Sequence, residues 1–157
     1  MAKNFYANPY DIGKCGFYFD DYEELQDKLK TADFEEYEID CIDYEHSEIF
    51  NALPVDESNL EEFLEFMEGK DEDDLIAIEY LAEYRSCTLG EVKDQYDDVR
   101  IFKGTPGECA EEYMSECFDI PKNLERYIDY EAFAHDCLCG GDWEEFGDYV
   151  ITNAHGF

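Results

Sequence analysis

Leu60, Phe63, Leu64 and Met67 recur at i, i+3, i+4 and i+7, while Glu61, Glu65 and Glu68 fall on the opposite side. This is the pattern of an amphipathic helix. Asp56 or Ser58 is placed to open it and Gly69 to close it. A second helix is predicted over residues 71–84, with Leu75, Ile78, Leu81 and Ala82 inward and Glu79 and Glu83 outward. A third opens at Thr88, which with Glu91 fits the S/T-x-x-E capping box. Residues 55–97 therefore read as wholly helical.

The pattern differs on either side. Residues 1–54 begin with short β-like runs at 5–7 and 16–19, punctuated by Pro9, Gly13 and Gly16. A helix follows, capped by Asp20 or Asp21, with Tyr22, Leu25 and Leu29 as its apolar stripe and Asp20, Glu23, Glu24 and Asp27 on another face. Tyr37, Ile39 and Cys41 then alternate with Glu36, Glu38 and Asp40, the period of a half-buried strand. Residues 98–157 open with a strand candidate at 99–102. In Thr105-Pro106-Gly107-Glu108 a cap, a proline at the first helical position and a glutamate at the third coincide, a strong helix start. Ala110, Tyr113, Met114 and Cys117 are its expected core stripe, and shorter helices around 124–127 and 130–138 precede Gly140-Gly141 and a strand near 149–152. No internal repeat is found. The expected fold class is α+β: three small domains in a row, 1–54, 55–97 and 98–157, forming an elongated body.

Charge changes this picture more than any motif. The 157 residues hold 43 acids and 11 bases, a formal charge of −32. The 17% of aromatic residues favours a folded domain over disorder, since disordered chains are poor in them. An acidic tail is excluded because the acids run from Asp11 to Asp148. Adaptation to high salt is the remaining bland explanation. A compact chain of this length is about 40 Å across. DNA carries one charge per about 1.7 Å of axis, so 32 charges match about 54 Å of duplex, or about 16 base pairs. An elongated body would match that charge density.

On the predicted helices the acids stand three and four residues apart, where each like-charge pair costs about 0.2–0.5 kcal/mol. About ten such pairs would cost about 2–5 kcal/mol, a large share of a typical net stability of about 5–15 kcal/mol. Solvated faces usually mix signs. Here Lys28 and Lys30 are the only bases from Asp20 to Asp40, and Lys70 stands alone between Asp56 and Glu79. The residues expected to bind a cationic partner are Asp20, Glu23, Glu24, Asp27, Glu61, Glu65, Glu68, Glu79, Glu83, Glu108, Glu111, Glu112 and Glu116.

Other chemistry is weakly signalled. No G-x-S-x-G, H-E-x-x-H or P-loop pattern occurs, and the chain is not expected to be an enzyme or to need a cofactor. His46, His135 and His155 are scattered. Cys137 and Cys139 lie near His135 but lack the second ligand pair of a structural zinc site. Asp71-Glu72-Asp73-Asp74 lacks the spacing of a calcium loop. No apolar run reaches membrane length, the N-terminal residues are not those of a signal peptide, and seven cysteines without a C-x-x-C pair suit reduced thiols. A cytoplasmic location is expected.

The residues resemble the ArdA family of antirestriction proteins. Phe5-Tyr6-Ala7-Asn8 with Tyr10, Gly13 and Gly16 is similar to the family's opening motif, and residues 36–45 to its acidic E-Y-x-I-x-D-Y-E segment. The most specific block is Leu124-Glu125-Arg126-Tyr127-Ile128-Asp129-Tyr130-Glu131-Ala132-Phe133-Ala134-His135-Asp136, followed by Gly140-Gly141-Asp142. Tyr18 stands near the family's usual tryptophan, and His135 where arginine is common. The resemblance implies a curved rod that mimics bent duplex DNA, paired as a homodimer through its C-terminal domain. The implied partner is the DNA-binding groove of Type I restriction-modification enzymes, formed by the specificity and methyltransferase subunits. The resemblance implies inhibition of restriction and leaves open whether modification is inhibited as well. Tyr127, Ile128, Tyr130, Phe133 and Leu138 are the candidate dimer residues and equally candidates for monomer core. The rival reading is an acidic factor that sequesters basic, histone-like proteins. A calcium buffer is a weaker rival.

Overall fold

The computed structural model describes residues 3–157, a mixed α and β chain with two small sheets. Its contacts divide into two compact units, Met1–Asp94 and Gln95–Phe157.

In the first unit β1 (Phe5–Pro9) is the central strand, flanked by β2 (Phe17–Phe19) and β3 (Tyr37–Cys41), both antiparallel to it. Phe5 stands opposite Phe19 on one side and Cys41 on the other. Gly16 is required where the chain enters β2, because a Cβ there would lie 2.0 Å from the Ala7 carbonyl oxygen. Helix α1 (Tyr22–Leu29) is capped by Asp21, whose carboxylate accepts the Glu24 N–H at 2.8 Å, and it buries Leu25. Helix α2 (Ser47–Ala52) is absent from the sequence expectation; it adds Ile49 and Phe50 to the core. Rings then link the elements: Phe5 to Phe19 at 5.5 Å, Phe5 to Phe50 at 5.2 Å, and Phe50 to Phe63 at 5.6 Å between centroids.

Helix α3 (Leu60–Met67) buries Leu60, Phe63 and Met67, as its period predicts. It starts later than Asp56 or Ser58, because residues 56–59 form a turn in which the Asp56 carboxylate accepts the Ser58 N–H at 2.8 Å. Gly69 follows with φ of 74°, a left-handed conformation suited to glycine. The acidic run 71–74 is explained by capping: Asp71 accepts the Asp74 N–H at 2.9 Å at the start of α4 (Glu72–Glu79). Carboxylates there also face the positive end of the helix dipole. Helix α4 continues into a wider π turn, Tyr80–Tyr84. Ile76, Ala77, Ile78, Tyr80, Leu81 and Ala82 are all buried, so this segment is enclosed on most sides rather than along one stripe. Thr88 and Glu91 form the expected cap of α5 (Leu89–Gln95).

The second unit contains β4 (Ile101–Lys103), α6 (Pro106–Cys117), α7 (Lys122–Glu125), α8 (Tyr130–Cys139), β5 (Glu144–Phe146) and β6 (Tyr149–Ile151). Strand β6 is central and pairs antiparallel with both others. The capping box of Thr105 and Glu108 starts α6 as predicted. The expected stripe of α6 holds in part: Ala110 is buried, Met114 half-buried, and Tyr113, though 41% exposed, sets its ring 5.9 Å from those of Phe133 and Trp143, whereas Cys117 is exposed. That core joins Cys109, Ala110, Ala134, Trp143 and Val150, with Phe102, Tyr130, Phe133, Cys137 and Leu138 partly buried against it. Burial pushes the Cys109 thiol up to about 11, which keeps it protonated and unreactive.

Candidate functional site

The sequence-predicted acids separate into three groups. The first is occupied within the fold. Lys3 Nζ, 17 and 21 residues away in sequence, donates to Asp20 Oδ2 at 2.8 Å and to Glu24 Oε1 at 3.1 Å. Lys28 Nζ also reaches Glu24 at 2.8 Å. The hydrogen bond from Lys3 holds Asp20 below the ordinary carboxylate range. The bond from Lys28, with further donors behind it, pulls Glu24 down to about 2. Asp27 pairs with Lys30 at 2.7 Å, and Glu108 accepts the Thr105 N–H at 2.9 Å. These four carboxylates position the chain as well as charging it, and the two held by Lys3 present little of their charge to a partner.

The second group is Glu79 alone. It is half-buried, and burial first, then the charges of Glu83 and Glu48, raise its pKa above the usual carboxylate value. The third group faces solvent: Glu23 on α1, Glu61 and Glu65 on α3 with Glu68 just beyond its end, Glu83 on the π turn, and Glu111, Glu112 and Glu116 on α6. On a helix, positions four apart are separated by about 6 Å along the axis, so Glu61 and Glu65, and likewise Glu112 and Glu116, make short rows at that pitch. Sequence reasoning missed a row on β3 and its approach. Glu36, Glu38 and Asp40 fall two apart on an edge strand, at about 6.7 Å intervals. The same alternation that identified the strand carried this row.

The candidate dimer residues lie in the second unit. Tyr127 is 71% exposed and Ile128 half-buried, while Tyr130, Phe133 and Leu138 lean on that unit's own core. Tyr113, Phe118 and Leu124 add further exposed apolar surface.

Other chemistry is sparse. Among the described residues no three His, Cys, Asp or Glu side chains form a group able to hold a metal ion, and no helix is long and apolar enough to cross a membrane. His135 Nε2 lies 3.4 Å from Cys139 Sγ, one turn apart on α8. A comparison with curated proteins gives no match. The family model of the antirestriction protein (ArdA) matches residues 6–151, covering both acidic units from β1 to β6. The chain belongs to the ArdA family of antirestriction proteins.

Proposed function

We propose that this protein performs its family's antirestriction function as a DNA mimic, occupying the DNA-binding groove of Type I restriction-modification enzymes formed by their specificity and methyltransferase subunits. The observation that carries the reading is the third group of acids: solvent-facing carboxylate rows of about 6 Å pitch on separate elements, which a groove built to neutralise phosphates would attract. Steered association between such opposite fields is fast and weakens with salt. An inhibitor without bases offers nothing to direct readout, so it acts on enzymes of differing sequence specificity.

The three-domain rod belongs to the same proposal. Residues 1–54 hold one sheet, 55–97 only helices and 98–157 the other sheet, with the first two joined in one compact unit through rings such as Phe50 and Phe63. So does a homodimer joined through the exposed apolar surface around Tyr127. A sedimentation run showing only an 18.4 kDa species at micromolar concentration would count against the dimer.

The decisive experiment titrates the protein against a labelled cognate duplex bound to a Type I methyltransferase core at two salt concentrations. Stoichiometric displacement that weakens with salt is expected. No displacement, with binding to histone-like proteins instead, would replace this reading with the sequestering one. The charge acts as an ensemble, so Glu65→Gln alone should change displacement less than about threefold. Converting Glu111, Glu112 and Glu116 together to lysine should abolish it.

A further inference from the structure

The first unit carries a shallow, open cleft of about 670 Å³, which shares Glu36 with the row on β3. Three tyrosines from separate parts of the unit line it: Tyr10 beyond β1, Tyr22 at the start of α1 and Tyr37 at the start of β3. Glu35, Glu36, Asp56 and Glu57 supply carboxylates, and no lysine or arginine is among the lining residues. Elsewhere in this unit Lys3, Lys14, Lys28, Lys30 and Lys93 are each committed to a carboxylate. In the cleft the anchoring donors are neutral. Tyr37 Oη donates to Glu57 Oε2 at 2.7 Å and Gln26 Nε2 donates to Glu57 Oε1 at 3.1 Å, which fixes that carboxylate without neutralising it.

Aromatic rings beside unneutralised carboxylates select one ligand chemistry. A ring attracts a cation electrostatically, and an aliphatic stem lies favourably on it. A hydrated magnesium ion keeps its waters and gains nothing from the rings. The volume is in the range of small-molecule sites. We propose that this cleft binds an organic cation, an ammonium or guanidinium group on an aliphatic stem. It is supplied either as a free polyamine or as a lysine or arginine side chain of a protein partner. The second source rests on the proposed function; the first does not.

Calorimetric titration of the full chain with putrescine, agmatine and magnesium chloride, at matched ionic strength, tests the site. Saturable binding of both amines at one site is expected, with magnesium a poor competitor. Glu35→Gln with Glu36→Gln should weaken agmatine binding about tenfold, and Tyr10→Ala, which changes no charge, about threefold. Glu61→Gln with Glu65→Gln makes the same change in net charge outside the cleft and should weaken it less than twofold. Equal loss in the two double variants, equal competition by magnesium, or no saturable binding would overturn the proposal, leaving only diffuse attraction of counterions. The source is read by carrying Tyr10→Ala into the duplex-displacement assay: weaker displacement assigns the cation to the partner protein, and undiminished displacement assigns it to free polyamine. If the DNA-mimic reading fails, the wild-type chain does not displace duplex at all, a result that leaves the calorimetry standing.

Discussion

Met1–Asp94 and Gln95–Phe157 carry nearly the same proportion of charge: 28 acids to seven bases in the first, 15 to four in the second. They differ in what opposes the repulsion. The first encloses large side chains completely, among them Phe5, Phe19, Leu25, Leu60, Phe63, Ile78, Tyr80 and Leu81. The second encloses only Ala110, Val150, Ile151 and Ala154 to that degree; large apolar side chains are exposed in both, Tyr10, Ile12, Tyr18, Ile42 and Tyr84 in the first and Tyr113, Phe118, Leu124 and Tyr127 in the second. Apolar burial contributes about 25 cal/mol per Å². The first unit thus has the larger driving force to hold an acidic surface, whereas the second holds its own with a smaller core.

The sharpest way to break that contrast is a matched pair of deletions. Phe63→Ala removes a fully buried ring that touches Phe50 and Tyr44, and is expected to cost about 3–5 kcal/mol in urea denaturation. Phe133→Ala removes a half-buried ring beside Trp143 and should cost about 1–2 kcal/mol. Equal costs would mean that the two cores are equally strong. Gly16→Ala comes next, at about 1–3 kcal/mol, because the new methyl would meet backbone and the Tyr6 ring rather than a flexible chain end. Thr105→Ala, which removes the cap of α6, should cost about 1 kcal/mol, a larger share of the weaker unit's stability.

Local rules read from the sequence succeeded where one element contains its own signal. The four-residue spacing of α3, the capping boxes at Thr88 and Thr105, and the alternation of β3 each need no distant partner. Helix α2 has six residues and no side-chain cap at His46, too few positions for a period to be seen. Strand β5 begins Glu144-Glu145 and exists through its pairing with β6. The exposure of Cys117 on α6 is a tertiary fact that the helical period does not carry. Among the site candidates, the exposed glutamates of α3 and α6 were legible as helix faces. The engagement of Asp20 and Glu24 was not, because Lys3, just ahead of β1, is brought beside them by the pairing of β1 with β2. The cleft was hidden for the same reason: Tyr10, Tyr22, Tyr37 and Glu57 are brought together by the fold and not by spacing.

The smallest effect is the most specific to charge, and it sets two acids of the first unit against each other. Glu24 is held near 2 in the folded state against an ordinary 4.5, so its contribution is fully present above about 4.5 and is lost as the pH falls toward 2. Glu79 is shifted the opposite way. Its buried charge penalises the folded state at neutral pH, and the penalty lifts as acid protonates it. Glu24→Gln should therefore lower stability at pH 7 by about 1 kcal/mol or less, given its partial exposure, and by a smaller amount at pH 3. Glu79→Gln should raise stability at pH 7 and leave it unchanged at pH 3, where the wild-type carboxyl already carries its proton. Urea midpoints of the three proteins at the two pH values supply the test. If both variants instead gained stability at pH 7, relief of overall repulsion would outweigh the Lys3 and Lys28 pairings. Those pairings would then be incidental contacts on a uniformly charged surface, and the first unit would owe its stability to its aromatic core alone.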